Sequence, residues 1–158
     1  MNVTGSYTFA APRQQVWALI HSPAALIEII PGCQGVEQVS ATEYRGRIQL
    51  KLPAIVGDYT TSVRLTDFCA PKSCTFAGRV EGAPGAISGT ASFTLTENEA
   101  GQTVIDYRGQ GQITGALARL NDRFVAGLAK TLIGQGLARL DQQLQANADA
   151  EPENFPDS

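Results

Sequence analysis

Between residues 36 and 113 the chain alternates apolar and polar residues almost without a break, and only one later segment is long enough to cover the surface this creates. Tyr44, Ile48, Leu50 and Leu52 alternate with Arg45, Arg47, Gln49 and Lys51. Tyr59, Thr61, Val63 and Leu65 alternate with Thr60, Ser62, Arg64 and Thr66. Cys74, Phe76, Gly78 and Val80 then share a face, as do Ile87, Gly89, Ala91, Phe93 and Leu95, and finally Ile105, Tyr107, Gly109, Gly111 and Ile113. A period of two with one dry and one wet side is the pattern of an antiparallel sheet solvated on one face. Gly57-Asp58, Ala70-Pro71, 82–85 and 98–101 supply the turns.

The dry face needs a cover. Residues 115–146 would span about 45 Å as one helix at 1.5 Å per residue. Ahead of the sheet, residues 3–9 read as a first strand. Pro12 opens a short helix carrying Val16, Trp17, Leu19 and Ile20, and a second helix over 24–30 stops at Pro31-Gly32. The expected fold is α+β of the helix-grip kind. A curved antiparallel sheet of about seven strands wraps a long C-terminal helix, with two short helices after the first strand.

A chain of 158 residues with 43% hydrophobic and 17% charged content buries a real core in one domain, placed at 1–146. Asp149, Glu151, Glu153 and Asp157 stand in 149–158 without a basic residue, leaving 11 acidic against 12 basic residues in 1–148. A near-neutral body excludes general nucleic-acid binding, and the acidic stretch 147–158 reads as a disordered tail. The N-terminus lacks the basic-then-apolar pattern of a signal peptide, and no run approaches a membrane span, so a cytoplasmic location is expected. Cys33, Cys69 and Cys74 read as reduced thiols, and with one distant histidine, His21, no metal site is expected.

Within 115–146, helical phasing at about 100° per residue puts Leu117, Leu120, Phe124, Val125, Leu128 and Leu132 on one side. Arg119, Arg123 and Lys130 fall opposite. Leu137, Leu140 and Leu144 then cluster about 160° from the first stripe. Gly134 and Gly136 mark the changeover, each costing about 1 kcal/mol relative to Ala in a helix. A bend or break there re-aims the second half and is the expected repair; a straight helix would instead turn those leucines toward a partner or a homodimer mate.

Small dry-face residues (Gly78, Gly89, Ala91, Gly109 and Gly111) beside Tyr, Phe, Leu and Ile admit two readings. They let the strands coil strongly, or they leave space beneath the helix for an apolar ligand. The pattern alone favours the first.

Several stretches resemble the CoxG family of carbon monoxide dehydrogenase subunits, within the START-like, polyketide-cyclase-like superfamily. They are residues 5–17 (GSYTFAAPRQQVW), Ile30-Pro31-Gly32-Cys33, 82–91 (GAPGAISGTA) and 120–129 (LNDRFVAGLA), spread in one order over roughly 3–145. The resemblance implies a helix-grip fold and turns the reading toward a cavity. It further implies an apolar-ligand carrier with a quinone as ligand, accessory to a molybdenum hydroxylase such as carbon monoxide dehydrogenase, with peripheral contact at the cytoplasmic membrane. Where the family often carries an aromatic pair late in the helix, this chain has Gly134-Gln135-Gly136-Leu137. The short acidic tail is not expected to act as the tether.

In that setting Tyr44, Tyr59 and Tyr107 either offer hydroxyls to a ligand carbonyl or satisfy them on backbone at a rim. Phe76, Phe93, Leu120, Phe124 and Leu128 would wall the cavity or simply pack the core. Ile29, Ile30 and Pro31 sit on the loop expected to close its mouth. Trp17 is expected to anchor the first helix, Cys33 to be inert and His21 to be a solvated helix-end residue. Arg119, Arg123 and Lys130 would meet anionic lipid headgroups or an acidic enzyme surface, unless they are only a solvated face. No Ser/His/Asp set, forced carboxylate pair or phosphate loop is present, and Gly109-Gln110-Gly111 lies in a strand. With the small dry-face residues and the covering helix, the resemblance makes a non-enzymatic carrier the first reading. The alternatives are a cyclase-, aromatase- or hydrolase-type enzyme using a cavity Tyr or Arg, and a protein-interaction adaptor.

Overall fold

The alternation over 36–113 resolves into strands in a computed structural model that describes residues 1–150. The elements are β1 (Asn2–Phe9), α1 (Arg13–Ile20), α2 (Pro23–Ile29), β2 (Cys33–Gln38), β3 (Glu43–Leu50), β4 (Gly57–Cys69), β5 (Ser73–Gly82), β6 (Gly85–Glu97), β7 (Thr103–Gly115) and α3 (Asp122–Ala150). A single 3-10 turn, Ala116–Arg119, precedes α3. All seven strands form one antiparallel sheet in the order β1-β7-β6-β5-β4-β3-β2. It is a meander from β2 to β7, closed by β1 on the flank of β7. Long strands of 13 residues (β4, β6, β7) and a bulge in β4 between Leu65 and Asp67 give the sheet its curl.

Local chemistry fixes the helices. Pro12 caps α1 in extended geometry. The Ser22 hydroxyl accepts from the Ala25 N–H at 3.3 Å, with Pro23 at the first helical position of α2. After α2 the chain turns at Gly32, whose φ of 76° places a would-be Cβ 2.1 Å from the Gln49 carbonyl; only glycine fits there.

Two apolar clusters lie between the sheet and α3. At one end are Phe9, Val16, Ile29, Cys74, Leu95, Ile105, Leu140 and Leu144. At the other, Ile55, Tyr59 and Leu117 are backed by Leu50, Val80, Ile113, Leu120 and Leu128. Thr103, fully buried, donates its hydroxyl to the Ala11 carbonyl at 2.6 Å.

The covering helix departs from the expected phasing. It runs through Gly134 and Gly136 without interruption, and Leu140 and Leu144 are 2% and 1% exposed within this one chain. No break occurs, and these leucines offer no face to a second copy. The reason is upstream: Leu117 belongs to the 3-10 turn and Leu120 is extended, with ψ of 152°. Neither shares a phase with α3. Once they are set aside, Val125, Ala129, Leu132, Gly136, Leu140 and Leu144 fall within an arc of about 120°, one ordinary buried face. The tail expected over 147–158 lies outside the described residues from 151 onward, and residues 147–150 continue α3.

Candidate ligand cavity

Open space remains between the sheet and α3 in two places. The first cavity, about 400 Å³, is walled by Ile48 and Leu50 of β3, Tyr59 of β4, Val80 of β5, Ile87 of β6 and Val125, Leu128 and Leu132 of α3. Among the described residues the only hydroxyl, amide or charged side chain on its wall is that of Tyr59; Met1, whose terminal ammonium donates to the Gly111 carbonyl at 3.1 Å, lines it as well. The second cavity, about 380 Å³, lies toward α1 and α2 and is walled by Tyr44, Val63, Phe76, Phe93 and Leu137, with Arg45, His21, Thr61 and Cys74 as its more polar members. Ile30, Ile133 and Gly136 line both.

Of the residues expected at the site, Ile30, Tyr59 and Leu128 line the first cavity, and Ile30, Tyr44, Phe76 and Phe93 the second. Leu120 packs behind the first cavity against the cluster of Ile55, Tyr59 and Leu117. Tyr107 lies on neither wall; its ring fills the space above Gly5 on the paired strand β1. Phe124 corrects the sequence reading. It is 46% exposed, because the true apolar face of α3 begins at Val125.

The tyrosine hydroxyls are already spent on the protein. Tyr44 donates to the His21 carbonyl at 3.1 Å and Tyr59 to the Ile55 carbonyl at 2.8 Å. Burial pushes the Tyr44, Tyr59 and Tyr107 phenols up, so they stay protonated. Burial, with a smaller contribution from Asp67, also raises the Cys74 thiol, which keeps it from acting as a thiolate. Tyr44 and Tyr59 therefore serve as rim-satisfied core residues that present lone pairs, not donors, to a guest.

His21 is not simply a solvated helix end. It is half-buried, stacks on Trp17 at 4.3 Å and lines the second cavity. Its Nδ1 lies 2.9 Å from the Trp17 carbonyl, which only accepts, so Nδ1 carries the proton. Trp17 anchors α1 as expected, against Phe93 at 5.9 Å between ring centroids. Thr61 is visible in the sequence only as one member of an alternating strand. Its hydroxyl on the second cavity's wall has no hydrogen-bond partner among the described residues. Ile30 lines both cavities, Pro31 the first and Ile29 the second.

The dry-face glycines have a different task from the one that would favour a cavity. A Cβ on Gly89 would sit 1.9 Å from the Gln110 carbonyl and 2.6 Å from the Gly111 Cα. These residues allow β6 and β7 to approach closely, and Gly78, Gly89, Gly109 and Gly111 are absent from both cavity walls.

Arg119, Arg123 and Lys130 are all exposed, and none forms an ion pair among the described residues. Arg119 sits on the 3-10 turn, apart from the other two on α3. No group of three or more His, Cys, Asp or Glu is placed to hold a metal ion among the described residues. Among them too, no helix is long and apolar enough to cross a membrane.

Solved structures share this architecture. A conserved protein from Geobacillus kaustophilus superposes with a TM-score of 0.88 at 24% identity, over 92% of this chain and 96% of that one. A START superfamily protein from Mycobacterium smegmatis gives 0.72 at 8% identity, over 92% and 97%. A Thermus thermophilus protein gives 0.69 at 13%, over 93% and 99%. These likenesses establish the START-like helix-grip fold. Among curated proteins none matches the chain significantly. The family profile of CoxG, a subunit of carbon monoxide dehydrogenase, matches residues 5–145, nearly the whole described chain. The chain belongs to the CoxG family of carbon monoxide dehydrogenase subunits.

Proposed function

We propose that this protein is a non-enzymatic carrier that holds an apolar small molecule, a quinone or lipid-like compound, between its sheet and α3. In this reading it serves a molybdenum hydroxylase such as carbon monoxide dehydrogenase from the cytoplasm, through membrane recruitment or coupling to an electron acceptor. The observation that carries the reading is the pair of cavities walled almost wholly by hydrocarbon. Unfilled apolar space forfeits packing contacts, so a space of this size is retained for an occupant. The enzyme alternative draws no support from the first cavity, where the one hydroxyl is committed to backbone.

The outer surface supports a docking role beside the carrier role. Arg119, Arg123 and Lys130 are free of ion pairs among the described residues, and exposed Phe124 stands among them in sequence. Exposed basic side chains beside an exposed apolar ring suit an anionic membrane surface or an acidic enzyme face.

Purified protein should release an isoprenoid quinone or lipid on solvent extraction, identified by mass spectrometry. An empty protein that also fails to quench its single tryptophan when quinone is added would end the carrier reading. Reversing the charge of Arg119, Arg123 and Lys130 together should abolish capture of the partner enzyme while leaving quinone binding unchanged.

A further inference from the structure

We infer that the two cavities are compartments of one site, joined past Gly136, and that the ligand is a single elongated amphiphile. Its chain occupies the first compartment and its polar end the second. This deepens the carrier reading and rests on it.

The partition of polarity comes first. Apart from Tyr59 and Met1, whose terminal ammonium is engaged by the Gly111 carbonyl at 3.1 Å and by Asp122, the first compartment offers a chain only hydrocarbon. The second presents the Thr61 hydroxyl as an uncommitted donor, together with the lone pairs of the Tyr44 oxygen. On the sheet side the boundary falls within two strands. Ile48 and Tyr59, a cross-strand pair, belong to the first compartment; Gly46 and Thr61, the next pair on that face, belong to the second. One apolar wall thus passes from one compartment into the other.

The roof of the junction is Gly136. A Cβ there would meet Ile29 at 3.7 Å and Pro31 at 3.9 Å, ordinary contact distances. Neither the helix nor its neighbours forbid alanine, yet the helix carries glycine at a cost of about 1 kcal/mol. What the missing side chain leaves is room between Ile30 and Ile133, the two other residues common to both walls. Gly134 has no such setting: nothing lies within 4 Å of its would-be Cβ. It is the natural control.

The test uses 1,4-benzoquinones bearing alkyl chains of increasing length, followed by quenching of Trp17, which packs on Phe93 and His21 of the second compartment. In the unmodified protein affinity should rise about fourfold per added methylene until both compartments are engaged. Gly136→Leu should bind short-chain quinones as before and lose the gain from longer chains, while Gly134→Leu keeps the full dependence. Gly136→Ala, which the contacts tolerate, should lose part of the long-chain gain and decides the matter if the leucine variant does not fold. Thr61→Val should weaken every member of the series by about fivefold, the loss of one hydrogen bond. Quinones that bind the unmodified protein without regard to chain length would overturn the joined-site inference while leaving a carrier. So would a Gly136→Leu protein that retains the full dependence. Unchanged affinity in Thr61→Val overturns the assignment of the polar end, and failure of every quinone to bind the unmodified protein overturns the carrier reading itself.

Discussion

Tyr59 joins the β3–β4 loop to the sheet through one hydroxyl. Its ring is 3% exposed and its oxygen donates to the Ile55 carbonyl at 2.8 Å, so one bond positions the loop that ends the first cavity. Tyr59→Phe leaves that buried carbonyl unmet and should lower stability by about 1 kcal/mol in denaturant melts. The same burial sets a pH dependence. Tyr7, Tyr44, Tyr59 and Tyr107 have phenols raised from the ordinary value of 10.0. The unfolded chain therefore gives up these protons first as pH rises. Their contribution is fully present below about pH 10 and is lost above it. The denaturant midpoint should hold steady to that point and then fall, less steeply in Tyr59→Phe. A midpoint independent of pH through the alkaline range would contradict this. At this scale the sequence reveals which tyrosines face inward but not where their hydroxyls go. The acceptors are backbone carbonyls of His21 and Ile55, lone groups that no side-chain pattern marks.

α3 shows where periodicity succeeds and where it fails. The existence and length of the helix follow from apolar spacing, and so does the strand series, because each strand has one wet side. The face of the helix does not follow. Carrying one phase across Leu120, whose extended backbone resets it, draws Phe124 inward and throws Leu140 and Leu144 outward. The observed burial sets opposite expectations for these residues. Leu140→Ala should cost about 2–5 kcal/mol, whereas Phe124→Ser should change stability by no more than about 0.5 kcal/mol. Size-exclusion chromatography should show Leu140→Ala unchanged in association state. A Phe124 variant as damaging as the Leu140 variant would restore the continuous phasing.

Across the whole molecule, the meander and the helix-grip form are legible in the sequence, while the place of β1 beside β7 and the origin of the open space are not. The pattern points to glycines on β5, β6 and β7; the space extends over β3 to β6 between larger side chains, those glycines line neither cavity, and Gly89 and Gly111 let β6 and β7 close on each other. Composition shows where bulk is missing, but not whether a neighbouring backbone has moved into the gap. Leu132→Trp, placed on the first cavity's wall, should fill space and weaken ligand binding at least tenfold with little loss of stability, checked by quinone titration and thermal melting.

Apart from an ion pair between the Met1 ammonium and the exposed Asp122 at 3.8 Å, the cross-links of α3 to the rest of the fold gather toward its C-terminal half. Asp141 accepts from the Tyr7 hydroxyl at 3.0 Å, Gln143 donates to Glu28 at 2.9 Å, and Leu140 and Leu144 are buried, whereas Val125 is the one fully buried residue before Leu140. The helix is a lever clamped at its heel. Amide exchange should accordingly run faster over 122–133 than over 137–146, and a bound guest should slow the first stretch alone, as a hand laid on the free end of a springboard stills it without touching the bolts.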